Sequence, residues 1–302
     1  MTLEQLRIFI AVAEKQHVTQ AAEQLNLTQS ATSAAIAALE SRYNVKLFDR
    51  IGRGIVLTNI GRDFLNEARE VVARAAAATH MLTDLSGFRH GSLSIAASQT
   101  VGNYWLPARL QSFLREFPGI TLHVDIANSE RVAQLVRVGA ANLGFVEGEI
   151  DDPLLSTERI EGDSIVIVVG KGHSWAKRAS VAPSDLPEAD WVLRERGSGT
   201  RSVFESTLHG LGINPAVLRI RMEFPSNEAV RSAVENGDCA SAVSDLVVAQ
   251  SVRAGTIHRV PIALPKRPFY ILRHKERYHS KVESALLASL GASPIDQGAG
   301  EN

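Results

Sequence analysis

The spacing of apolar residues changes character along the chain. Leu3, Leu6, Phe9, Ile10 and Ala13 recur at helical intervals, and Thr19 reads as the N-cap of a short helix over 20–25. Asn26-Leu27-Thr28 forms a break. Residues 29–43 then predict a second amphipathic helix, with Ala31, Thr32, Ile36, Leu39 and Tyr43 available to its inner side. Two short helices joined by a tight turn, the second polar at its start, predict a helix-turn-helix. Beyond it, 46–48 and 54–57 read as two small strands around 49–53, a basic wing.

From 58 to about 85 there is no proline and alanine and arginine are abundant, which predicts one long helix. Along it Phe64, Ala68, Val71, Ala75, Ala78, Leu82 and Leu85 alternate spacings of four and three residues, a heptad seam. Such a stripe also suits packing on its own domain. Its length, and the mid-seam alanines that permit close approach, favour a second copy, with Phe64, Ala68, Val71, Ala75, Ala78 and Leu82 as dimer contacts.

After Phe88-Arg89-His90-Gly91-Ser92, a hinge by composition, the pattern changes again. Strand-like runs at 93–97, 120–126, 143–146, 165–169, 217–222, 240–243, 257–260 and 269–273 alternate with helical stretches. The helices are expected at 106–117, 129–139, 201–211, 227–236, 246–254 and 281–290, and the tail 291–302 reads as disordered. This alternation predicts an α/β architecture of two sub-lobes.

Composition narrows the classes. The 302 residues carry 32 Lys+Arg against 33 Asp+Glu, a net charge of −1, which speaks against a general polyanion coat. Read locally, however, Arg42, Lys46, Arg50, Arg53 and Arg62 face Asp49 alone between 42 and 62. The length suggests about two domains, and 45% hydrophobic with 22% charged residues fits a packed protein. A single cysteine, Cys239, excludes an internal disulfide and a CxxC site, and reads as a buried thiol. The first residues do not form a signal peptide and no apolar run is long enough for a span, so the expected location is cytoplasmic with no membrane partner. No HExxH or GxSxG pattern occurs, so neither a metal site, a cofactor nor catalysis is expected.

Ala21-Ala22-x-x-Leu25-x-x-Thr28-Gln29-Ser30-Ala31-x-Ser33-x-x-Ile36-x-x-Leu39-Glu40, followed by Leu47-Phe48-x-Arg50 and Leu57-Thr58-x-x-Gly61, resembles the LysR-type transcriptional regulators. The resemblance implies an all-α winged helix-turn-helix at 1–58, a dimerising linker helix at 59–88 and an α/β effector domain at 89–302. That domain would comprise two Rossmann-like sub-lobes like those of periplasmic binding proteins, lobe I about 91–162 with 267–295 and lobe II about 163–266. The chain departs from the usual pattern at Gln16-His17, Thr32 and Tyr43-Asn44. Asn44 can still end the helix, because asparagine tolerates the left-handed conformation.

Double-stranded operator DNA is the implied partner, with self-association to a dimer or tetramer and RNA polymerase left open as a further contact. Gln29 can bond adenine bidentately, Ser30 and Ser33 can serve bases or phosphates, and Ala34 can touch a thymine methyl. Arg50 and Arg53 are candidates for phosphate or minor-groove contacts.

The effector side rests on two donor-rich segments, each entering a helix whose free N–H groups favour an anion. Ser98 and Thr100 belong to the first; Arg196, Ser198, Thr200 and Arg201 belong to the second. These segments and Gly144-Phe145-x-Glu147-Gly148 resemble the CysL/YeiE-like group, which implies sulfite or a related sulfur oxyanion as effector. Ser98, Thr100, Ser198 and Thr200 would donate, Arg196 or Arg201 would neutralise charge, and Glu147 would accept a proton from the ligand or orient an arginine. A small organic carboxylate is the competing ligand, which Asn128 or Asn227 could also bind. A cytoplasmic solute-binding protein or an enzyme on the same two-lobe fold is the reading from another class, and it leaves the helix-turn-helix and heptad unexplained.

Overall fold

The computed structural model describes residues 1–51, 54–86, 91–262 and 264–292. Two compact units result, one formed by Met1–Ser86 and one by the elements that follow.

In the first unit α1 (Leu3–Lys15), α2 (Val18–Gln24) and α3 (Gln29–Tyr43) precede β1 (Phe48–Ile51), β2 (Gly54–Leu57) and α4 (Asn59–Ser86). Local chemistry sets most of these boundaries. Thr2 and Gln5 form a capping box on α1, and the Thr28 hydroxyl accepts the Ala31 N–H at the start of α3. Asn44, at φ 51°, ends α3 in the left-handed conformation.

Three expectations need correction here. The cap of α2 is His17, whose Nδ1 accepts the Gln20 N–H at 3.4 Å, and Thr19 already lies inside the helix. The first wing strand begins at Phe48 and pairs with Leu57, two residues later than expected. Ala31 and Tyr43 are exposed, so α3 buries only Thr32, Ile36 and Leu39. The reason is the core these residues join. Phe9 sits at its centre, 5.5 Å from the Phe48 ring and 4.9 Å from that of Phe64. Phe64 and Ala68, expected as dimer contacts, pack into this core, Ala68 being 1% exposed. The seam is open only further along α4, where Val71 is 44% and Leu82 69% exposed, Ala78 is exposed and Ala75 half-buried.

The second unit is one continuous sheet. In order of first appearance its strands are β3 (Gly91–Ser98), β4 (Ile120–Ala127), β5 (Leu143–Glu147), β6 (Leu155–Gly170), β7 (Asp190–Arg194), β8 (Arg219–Phe224), β9 (Ala240–Ser244), β10 (Ile257–Arg259) and β11 (Lys266–His274). Their spatial order is β4-β3-β5-β11-β6-β9-β7-β8, with β10 on β6. Lobe I is the half before the β11–β6 pair and lobe II the half after it. The helices are α5 (Leu106–Glu116), α6 (Ser129–Arg137), α7 (Gly199–Gly210), α8 (Asn227–Asn236), α9 (Asp245–Ala254) and α10 (Lys281–Ser289).

Alternation along the strands feeds both faces of the sheet. On β3, Leu93, Ile95 and Ala97 pack with Leu110, Phe113 and Leu286, while Ala96 packs with Val132 and Val136 of α6. In lobe II, Ile165, Ile167 and Val169 join Trp191 and Phe204, and Val168 and Val192 join Val230 and Val234 of α8. Two strands were not foreseen: β7, and the first ten residues of β6, where charged residues alternate and the burial is partial. That part of β6 pairs with β11 through Ser164, and from Ile165 the strand continues into lobe II beside β9. The connection between lobes is therefore strand, not loop.

Candidate functional site

On the first unit, α3 presents Gln29, Ser30, Ser33 and Ala34 to solvent from its first two turns, and Arg50 is exposed on β1. Gln29, Ser33 and Arg50 line one hollow of about 320 Å³ together with His17 and Thr19. Ser30 and Ala34 do not line it, and the Ser30 hydroxyl lies 3.0 Å from that of Thr28. Arg53 lies outside the described residues. Glu40 ties helix to wing, its Oε1 accepting the N–H groups of Leu47 at 2.8 Å and Phe48 at 3.2 Å while Lys46 bonds Oε2.

In the second unit, β3 delivers Ser98 to its own end and the chain continues through a π-helical turn, Val101–Trp105, into α5. Such turns concentrate at functional sites. In lobe II, Gly197 adopts φ +85° and releases the chain into α7, with Ser198 as its N-cap. Ser98, Thr100, Glu147, Ser198, Thr200 and Arg201 are all buried, whereas Arg196 is exposed at the rim.

The geometry brings these segments together across the lobes. The Gly199 N–H donates to Ser129 Oγ at 3.2 Å, and Ser129 donates to Glu147 Oε2 at 3.0 Å. Glu147 thus sits at the start of α7, where a negative charge is stabilised. Beside this point the Glu130 N–H donates to the Gly197 carbonyl at 3.1 Å. On the other side Asn227 Nδ2 donates to Thr100 Oγ1 at 3.2 Å, and the Asn227 N–H donates to Gln99 Oε1 at 2.9 Å.

Burial by itself pushes the Glu147 carboxyl up, but the Arg267 charge and the nearby Thr100 and Ser98 hydroxyls outweigh it, so its pKa falls below the ordinary glutamate value. Ser98 Oγ, in a residue 2% exposed, is turned to that carboxylate without a well-aligned hydrogen bond. A cavity of about 1100 Å³ reaches Ser129, Glu147, Arg196, Ser198 and Arg201. Ser98, Thr100 and Thr200 are not on its walls and are sealed from solvent.

The neutralising role expected of Arg201 is corrected by its partners. Its guanidinium bonds Glu205 at 2.8 Å, the Arg194 carbonyl at 3.1 Å and Glu223. Asn128 caps α6 by accepting the Arg131 N–H at 2.9 Å, and Asn227 is held by Arg194 at 2.6 Å. Arg196 has no ion pair among the described residues. Three contributors escaped the sequence reading. Ser129 opens a helix that was foreseen, but its hydroxyl was not connected with Glu147. Arg267 lies in Lys-Arg-Pro and Asp163 in Glu-Gly-Asp, just outside the strand-like runs at 269–273 and 165–169. Cys239 is half-buried, its thiol pushed up by burial.

Among the described residues no group of His, Cys, Asp and Glu is arranged to hold a metal, and no helix is long and apolar enough to cross a membrane.

Comparison with known proteins agrees with this division. Residues 3–62 match the bacterial regulatory helix-turn-helix protein, lysR family, and residues 86–293 match the LysR substrate binding domain. A probable RuBisCO transcriptional regulator of Cyanophora paradoxa is 32% identical over 285 residues, covering 93% of this chain and 88% of that protein. The regulator YeiE of Escherichia coli K12 is 32% identical over 282 residues, covering 93% and 94%. Full-length CbnR, solved with its target DNA, is similar in fold, with a TM-score of 0.68 at 24% identity over 96% of this chain and 99% of that one. A helix-turn-helix head joined to a two-lobe binding domain, matched over nearly its whole length, makes the chain a member of the LysR family of DNA-binding transcriptional regulators and not an enzyme.

Proposed function

We propose that this regulator senses a small oxyanion between its two lobes, sulfite or a related sulfur oxyanion, and that occupancy changes how its paired heads hold operator DNA. The carrying observation is the cavity of about 1100 Å³ whose walls include Ser129, Ser198 at the start of α7 and Arg196, with the buried hydroxyls of Ser98, Thr100 and Thr200 lying behind them. A hydroxyl has a proton to donate, and an oxyanion supplies several acceptors at once. The exposed Arg196 on the cavity wall adds a positive charge at the entrance.

In the head, Gln29, Ser30, Ser33 and Ala34 read base edges, and Arg50 and Arg53 hold phosphate. The open part of the α4 seam, Val71, Ala75, Ala78 and Leu82, pairs with a second copy, and pairs of dimers and RNA polymerase are further partners. An effector can shift the DNA-bound state only by its differential affinity for the alternative lobe arrangements.

Heat stabilisation of the full chain by sulfite, sulfate and a panel of organic acids tests the ligand. A rise in melting temperature with a sulfur oxyanion is expected, and its absence with every member of that class overturns the assignment. A second reading, a small carboxylate, is favoured by the Glu147 side chain itself, since the start of α7 already accommodates a carboxylate. Stabilisation by organic acids alone would establish that reading instead.

A further inference from the structure

The wall of the cleft carries more negative charge than a bare oxyanion suits. Arg267 pairs with both carboxylate oxygens of Asp163, at 2.7 and 2.5 Å, and its charge also acts on Glu147. One guanidinium set against two buried carboxylates leaves a negative excess, and of the two only Glu147 lies on the cavity wall. Glu130 adds a second acid to that wall. It is exposed, it enters no ion pair among the described residues, and its Oε2 lies over Gly197, where a Cβ would come within 2.5 Å of it. Two of the wall's arginines are already taken: Arg201 bonds Glu205 and Glu223, and Arg137 lies 3.9 Å from Asp152. Among the described residues only Arg196 of the wall's arginines is without an ion pair.

Beside these charges stands an unused donor. Ser198 is 3% exposed and on the cavity wall, yet its hydroxyl makes no capping bond to α7 and has no other partner among the described residues. A buried donor left unmade is costly, so this one marks a place for an acceptor on a ligand. The space is also larger than a sulfite ion needs: 1100 Å³ exceeds the range of about 300–1,000 Å³ that encloses drug-sized molecules.

We propose that the effector is a short zwitterion, its oxyanion end bound by Ser198 and Arg196 and its primary ammonium facing Glu130 and Glu147. This rests on the reading of the cleft as an oxyanion-sensing site and adds a second subsite to it. An ammonium offers three donors and no acceptor, the complement of two carboxylates. Glu147 stays ionised to meet it, because the Arg267 charge and the neighbouring hydroxyls hold its pKa below the ordinary glutamate value. The two subsites adjoin through Gly197-Ser198, so an anion and an amine a few bonds apart, as in an aminosulfonate, reach both.

Calorimetry on the full-length protein compares taurine with ethanesulfonate, which lacks only the amine, and β-alanine with propionate, with sulfite completing the panel. Taurine is expected to bind about tenfold or more tightly than ethanesulfonate, the worth of one hydrogen bond to a charged group. Glu130→Gln, which alters an exposed side chain, should remove that advantage without weakening ethanesulfonate. Ser198→Ala should weaken both sulfonates.

Binding of sulfite or ethanesulfonate with no gain from the amine overturns the ammonium subsite and leaves the oxyanion reading standing. A taurine affinity that Glu130→Gln does not move overturns it as well. If β-alanine binds more tightly than propionate and no sulfur compound binds, the sulfur reading falls while the ammonium subsite stands. If wild type binds no member of the panel, both fall.

Discussion

The N–H of Gly199, at the start of α7 in lobe II, donates to the hydroxyl of Ser129, at the start of α6 in lobe I. Two helix N-termini from different lobes therefore share one small group, and Glu147 completes the arrangement by accepting from Ser129. Residue size is the limiting factor: a Cβ on Gly199 would lie 2.2 Å from the Glu147 carbonyl and 2.6 Å from Ser129 Oγ.

Gly199→Ala is expected to force the lobes apart at this point and to cost about 1–3 kcal/mol, the range for overpacking a tight interior. Small-angle scattering should register the opening, and urea unfolding the loss. An unchanged scattering profile with unchanged stability would show that the helix starts are not in contact in solution.

Glu147 links stability to pH. Its pKa is lowered on folding, so its contribution is present above the ordinary glutamate value of 4.5 and is lost as pH falls through the lower folded value. Urea unfolding of Glu147→Gln between pH 7 and pH 3 should therefore show a shallower decline on acidification than wild type. Parallel curves for the two proteins would contradict the assigned shift.

Thr32 is fully buried in the head and its hydroxyl has no partner among the described residues. Thr32→Val should stabilise the head by about 1 kcal/mol, because a desolvated, unmade hydrogen bond is replaced by a methyl group. A lower denaturation midpoint in the valine variant would mean that the hydroxyl is bonded after all.

The two ends of the α4 seam should respond differently. Phe64→Ala removes a ring from the core around Phe9 and is expected to destabilise the head by about 2–4 kcal/mol. Leu82→Glu alters a residue 69% exposed and should leave the head folded while weakening self-association. Sedimentation velocity separates the cases, and an undiminished oligomer for Leu82→Glu would remove this part of the helix from the interface.

For DNA, Gln29→Ala should change the preferred bases in a binding-site selection. Arg50→Ala should instead weaken binding across all sequences and reduce the salt slope by about one. An unaltered selection profile for Gln29→Ala would displace α3 from the groove.

Legibility followed the range of the interactions. The bounds of α3 could be read directly, because Thr28 and Asn44 act on backbone groups within a few residues. His17 as a cap was missed because histidine seldom takes that place, and the polar first half of β6 was missed because its pairing partner β11 lies about a hundred residues away in sequence. That Phe64 and Ala68, expected at a dimer seam, pack on the head's own core has a related reason. A heptad stripe specifies which face of a helix is apolar, not which surface covers it.

The sequence by itself determined that a helix-turn-helix head precedes a long helix and an α/β sensor, since period, caps and turn residues are local and repeat what the backbone requires. Only the tertiary structure decided what the sensor cleft contains. Ser129, Glu147, Gly199 and Arg267 meet across two lobes, and their charges and hydroxyls acquire meaning from partners that no spacing along the chain encodes.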